Sequence, residues 1–87
     1  MNNFVNHLFH KAQIQLKENQ LNWNLLKPLI EETVAKLDDL SAFDAQTGPA
    51  RRNDQSTIHT HESLLNDEEV QLYKTLTNSI QKTYNHD

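Results

Sequence analysis

Apolar positions recur with helical spacing in four stretches of this chain. Across residues 3–18, Phe4, Val5, Leu8, Phe9, Ala12 and Leu16 share one face, the rhythm of an amphipathic helix. Asn2 or Asn3 can cap its start through a side-chain oxygen, and Asn19 suits a left-handed stop. Ile14 lies off the stripe. Residues 23–40 carry a wider apolar face, made by Leu25, Leu26, Leu29, Ile30, Thr33, Val34, Leu37 and Leu40. The cap of this second helix is Asn22 or Asn24. With Asn24, Pro28 removes one backbone bond near where such bonds begin; with Asn22, it kinks the helix. Trp23, beside the helix start, is read as covering the core rather than stacking on a ligand.

The helical pattern stops over residues 41–53. It returns over 54–65, with Asp54 as N-cap and Ile58, Leu64 and Leu65 as anchors. "NDEE", residues 66–69, is a capping-box pattern with Asn66 at the cap and Glu69 three residues on. A fourth helix then runs to about Tyr84 on the stripe Val70, Tyr73, Leu76, Ile80 and Tyr84. No segment alternates with period two. The expectation is an all-α fold, a single domain over residues 1–87 built as a small bundle of four main helices.

Composition adds a constraint on partners. With 87 residues, 36% of them hydrophobic, and a mean hydropathy of −0.80, the core is thin. A domain this short buries roughly 60–65% of the surface its unfolded chain exposes. Wide apolar faces on a thin core predict a homodimer. The net charge of −4 argues against nucleic-acid or anionic-membrane partners, which call for a basic excess. No apolar run approaches the roughly 20 residues of a membrane span, and the start lacks the layout of a secretory signal. The chain has no cysteine, which excludes disulfides and thiolate metal sites and suits a reducing, cytoplasmic setting. His7 with His10 and His59 with His61 are paired in sequence. With no cysteine and no helical Glu-x-x-His motif beside them, they read as surface residues and no metal is expected. The pairs Glu31–Glu32 and Asp38–Asp39 read as solvated faces.

Candidate chemistry gathers in "TGPARRND", residues 47–54, which holds the only glycine of the chain and its only adjacent arginines. Gly48 permits a backbone angle that side chains forbid, and Pro49 fixes the next one. Arg51 and Arg52 are then placed just before a helix start, where free N–H groups already favour anions. Guanidinium adds a bidentate fork for carboxylate or phosphate. Asp54, Ile58, His61 and Leu65 follow on one helical face, with Thr57 alongside. The alternative is an ordinary capped turn with solvated arginines.

These residues carry a resemblance. The stretches "FVNHLFHKAQ", "LNWNLLKPLIEETVAKL", "AQTGPARRNDQSTIHTHESLL" and "VQLYKTL" resemble the C-terminal helical domain of two-domain NAD(P)-dependent dehydrogenase-like proteins. That group includes pyrroline-5-carboxylate reductase, ketopantoate reductase and 6-phosphogluconate dehydrogenase. Within it, the chain is most similar to the family called domain of unknown function 2520. It matches the family pattern at Asn6, Trp23, Leu26, Pro28, Leu29, Ile30, Thr47, Gly48, Pro49, Ala50, Arg52, Asp54, Thr57 and His61. It departs at Asn53, where glycine is usual; asparagine is the next-best residue for a left-handed angle.

The resemblance implies a 6-phosphogluconate-dehydrogenase-C-terminal-like helical domain that forms the homodimer and closes the substrate side of a cleft. An N-terminal Rossmann domain, preceding this chain in the full-length protein, would bind NAD(P). The chain alone, lacking the three-glycine phosphate loop, is expected to hold no cofactor and to be inactive. Arg52 would bind an anionic group, Asp54 would cap the helix and orient Arg52, and Thr47, Gly48, Pro49, Thr57 and His61 would line the cleft, with Asn6 facing them from helix one. The first alternative is a small interaction module that takes a partner helix in a groove, without catalysis. The second is a stand-alone helical enzyme using His61 with Asp54, although seven residues set these about two turns apart.

Overall fold

A computed structural model describes residues 1–84 of the chain. Within them lie six α-helices: α1 (Asn2–Glu18), α2 (Lys27–Ala35), α3 (Ala42–Ala45), α4 (Pro49–Arg52), α5 (Gln55–Leu64) and α6 (Asp67–Tyr84), with 3-10 turns at Trp23–Leu25 and Lys36–Asp38. No strand occurs among the described residues, so the fold is all-α. Residues 85–87 of the expected domain lie outside the described residues. The chain divides into two compact units, with the boundary between Ala42 and Phe43.

In the first unit, α1 matches the expected stretch, but its ends differ. Neither Asn2 nor Asn3 caps α1: Asn2 is its first residue, and the Asn3 side chain accepts from the terminal ammonium of Met1. Asn19 closes the helix at φ −98°, and the left-handed angle falls one residue later, at Gln20 with φ 58°. The expected helix over 23–40 is broken. Asn22 caps the first 3-10 turn, its Oδ1 accepting from the Asn24 N–H at 2.8 Å. α2 starts afresh at Lys27 and places Pro28 in its first turn, where a missing N–H removes no helical bond. Trp23 is half-buried. No residue from 1 to 42 is fully buried. Phe4, Leu25, Leu29, Val34 and Leu37 are all more than half exposed.

In the second unit, the expected break over 41–53 contains two single-turn helices, α3 and α4. α4 packs on both α5 and α6, and α5 packs on α6. The core lies where these three meet and consists of Ala50, Ile58 and the buried polar residue Thr77. Asp54 caps α5 and Asn66 caps α6, as their sequence positions predict: the Asp54 side chain accepts from the Thr57 N–H, and that of Asn66 from the Glu69 N–H. Two expected anchors face outward. Leu64 is 78% exposed and Leu76 42%. On α6, Thr77 takes the inward place beside Tyr73 and Ile80, one residue on from the predicted Leu76.

Candidate functional site

The turn over residues 47–54 is built from three backbone choices. Gly48 sits at φ 102°, in the region closed to side chains. Pro49 then opens α4, where its ring suits the first helical position. Asn53 ends α4 in the left-handed conformation, at φ 56° and ψ 42°, so the shape expected of glycine survives with asparagine in its place. The Asn53 side chain also has a use that glycine lacks: its Oδ1 accepts from Gln55 Nε2 at 2.8 Å and from Gln81 Nε2 at 3.3 Å. These bonds tie the turn to α5 and to α6.

Asp54 is the hub of the turn. Its Oδ1 accepts from the Thr57 N–H at 3.2 Å and from Ser56 Oγ at 3.1 Å. Its Oδ2 accepts from Thr57 Oγ1 at 2.7 Å and from Arg52 Nη2 at 3.4 Å. A carboxylate offers about four acceptor positions, and all are taken. The Thr57 hydroxyl and then the Thr57 N–H are the main reasons that its pKa is lowered to about 2. Asp54 therefore stays ionised near neutrality and holds no proton to give. Its side-chain oxygens meet Arg52, Ser56 and Thr57, whereas His61 Nδ1 meets Tyr73.

The two arginines separate. The sequence reads Arg51 and Arg52 together, as anion-facing or, alternatively, as solvated; Arg51 is exposed, and its guanidinium carbon lies 4.2 Å from the centre of the Tyr84 ring. Tyr84 stacks on Phe43 with ring centres 4.6 Å apart, and its hydroxyl donates to the Phe43 carbonyl. Arg51 thus fastens α4 to the end of α6. Arg52 is the looser of the two. Its side chain is 59% exposed and held by one long contact to Asp54, which leaves most of its five donors for an anion.

His61 lies two turns along α5, half-buried. Its partner is not Asp54. Nδ1 meets the Tyr73 hydroxyl at 2.8 Å, with the rings edge to face. Sequence patterning counts Tyr73 as a stripe residue and misses this polar end; the twelve-residue separation becomes a contact only when α6 folds back on α5. The turn thus brings Gly48, Pro49, Arg52, Asp54 and Thr57 together. Thr47 is exposed beside it, its carbonyl accepting from Gln46 Nε2. Asn6 is exposed on α1 in the first unit. His7 and His10 have ring centres 6.3 Å apart, and no group of three or more metal-ligand side chains occurs among the described residues.

An all-α domain with a Gly-Pro turn, a capping aspartate and an exposed arginine is the class of protein that these features define. The chain belongs to the family described as domain of unknown function (DUF2520), whose profile matches residues 1–80. Among solved structures, it is similar to a crystal structure of a proposed NADP oxidoreductase from Bacteroides fragilis. The two share 38% identity and superpose with a TM-score of 0.88, over 92% of this chain and 32% of that one. The chain therefore spans about a third of the length of that relative. No curated protein matches the sequence. No described helix is long and apolar enough to cross a membrane.

Proposed function

We propose that this chain is the dimer-forming, substrate-side domain of an NAD(P)-dependent oxidoreductase, acting with a Rossmann domain outside residues 1–87 that holds the dinucleotide. The observation that carries this is the Arg52–Asp54–Thr57 array on the family turn. A carboxylate saturated by four donors fixes the turn and leaves an exposed guanidinium beside it. Arg52 takes an anionic group of substrate or cofactor, Asp54 orients it, and Thr57 and His61 line the same wall. The likeness to a proposed NADP oxidoreductase favours NADP as the dinucleotide. A cytoplasmic setting fits a chain without cysteine. The dimer takes up apolar side chains that the first unit by itself leaves exposed.

The test is NADPH turnover by the longer protein together with its Arg52→Ala variant. A charge-assisted hydrogen bond contributes about 1.5–3 kcal/mol, so kcat/KM falls on the order of ten- to a hundred-fold while Tm holds. Unchanged kcat/KM makes the turn structural only. A reading frame upstream of residue 1 that lacks a glycine-rich strand–turn–helix returns the chain to a helix-binding interaction module, the reading that its exposed apolar faces otherwise favour.

A further inference from the structure

The two units of the chain are unequally built. The second has buried residues, Ala50, Ile58 and Thr77. Both of its longer helices are capped by side chains, α5 by Asp54 and α6 by Asn66. The first unit has no such core. Its deepest apolar side chains, Phe9, Ala12, Leu16, Trp23, Leu26 and Ile30, are half-buried. No side chain caps the start of α1 or of α2, and α2 is only 9 residues long. Isolated helices below about 12–15 residues are marginal in water, and most helical stability in proteins comes from burying an apolar face. Here that burial is largely missing. From Phe4 to Leu40, ten large apolar side chains are 39% to 70% exposed. With ordinary side-chain sizes they hold about 900 Å² in water, whereas a standard interface takes about 800 Å² from each partner. The surplus is of one kind. Both α1 and α2 carry apolar stripes, so a two-fold pairing sets like against like, as an isologous interface requires.

We propose that residues 1–42 complete their core on the same residues of a second copy, so that the first unit is ordered only in the dimer while the second keeps its order in the monomer. This rests on the dimer of the proposed function and states what that dimer does: association sets the fold of the first unit. Asn6, which the resemblance counts among the cleft residues, lies on α1 and takes a fixed place only in the dimer. Arg52, Asp54 and Thr57 keep theirs in either state.

Sedimentation equilibrium of the chain, with hydrogen exchange read by mass spectrometry at the same concentrations, tests this without a substitution. As dilution splits the dimer, peptides from α1 and α2 should exchange faster, on the order of ten-fold or more, while those from α5 and α6 hold their rates. Unchanged exchange over residues 1–42 in the monomer overturns the proposal and leaves the dimer standing. An equal loss of protection in α5 and α6 overturns it too, because the two units then share one fold. Should the dimer outlast dilution, Leu29→Glu serves as the second measurement. Leu29 is 57% exposed in the single chain, so a charge there spares the unit itself and separates the pair. The same exchange patterns then decide, and a variant that stays paired overturns the assignment of the interface to residues 1–42. A wild-type monomer at every concentration sinks the dimer and this proposal together. NADPH turnover by the longer protein judges the oxidoreductase reading separately.

Discussion

The guanidinium carbon of Arg51 stands 4.2 Å from the centre of the Tyr84 ring, joining the shortest helix of the site to the end of the longest. The adjacent arginines therefore have unlike work. Arg51 lies against Tyr84 at the end of α6, and Arg52 is exposed beside Asp54. A cation over an exposed ring contributes about 0.5–1 kcal/mol, so Arg51→Ala should lower unfolding free energy by about that much in urea. Tyr84→Phe keeps the ring and loses the bond to the Phe43 carbonyl, at a cost of about 0.5–1.5 kcal/mol. A double-mutant cycle of Arg51→Ala with Tyr84→Ala should give a coupling of the same size as the cation–ring contact. Additive losses would show that the contact carries no energy.

Acid should act on the turn through Asp54. Its pKa in the folded chain is about 2 against an ordinary 3.8. The depressed value means that ionised Asp54 stabilises the fold fully above the ordinary value, and that this stabilisation drains away as pH falls towards 2. Asp54→Asn retains a capping oxygen and lacks the charge. The stability gap between wild type and Asp54→Asn should be steady from neutrality to about pH 5, then close between about pH 4 and 2. A gap independent of pH in an acid series of urea melts would show that the charge has no part in stability. Asp54→Ala loses the cap as well, and its Tm should drop by about 4–8 °C at neutral pH.

Two backbone positions should respond differently to the same side chain. Gly48→Ala places a Cβ at φ 102°, with no atom beyond its chain neighbours within 4 Å of it among the described residues. Any loss there is backbone strain alone, about 1–2 kcal/mol. Asn53→Ala meets the left-handed penalty and also loses the bonds to Gln55 and Gln81, so it should cost as much or more. Asn53→Gly relieves the angle and loses the same bonds, and should lie within about 0.5 kcal/mol of wild type. Denaturant melts of the three variants check this order. A stable Gly48→Ala would mean that the turn has another conformation in solution.

Self-association should be visible by sedimentation equilibrium at micromolar concentrations. Leu29 is 57% exposed in the single chain, so a charge at this position is tolerated in a monomer and penalised where a second copy covers it. Leu29→Glu should weaken the dimer on the order of ten-fold or more. A 10.1 kDa species at every concentration of the wild type would contradict the dimer.

Local signals alone determined much of this protein. The starts of α5 and α6 follow from Asp54 and Asn66, because a cap needs only an oxygen three residues before an open N–H. The sharp turn follows from Gly48, Pro49 and Asn53, because backbone angles are set by the residue itself. Pro28 with Asn22 as cap pointed to a kink over 23–40, but the choice between Asn22 and Asn24 came only with the structure. Tertiary structure decided the rest. Periodicity places Leu76 and Thr77 one residue apart and cannot say which one the neighbouring helix covers; packing on α4 and α5 chose Thr77. Nothing in the adjacency of Arg51 and Arg52 separates them, since only the return of α6 brings Tyr84 beneath one and not the other. His61 looks free in sequence because its partner is twelve residues away, and a hydrogen bond over that separation exists only after α5 and α6 have folded against each other.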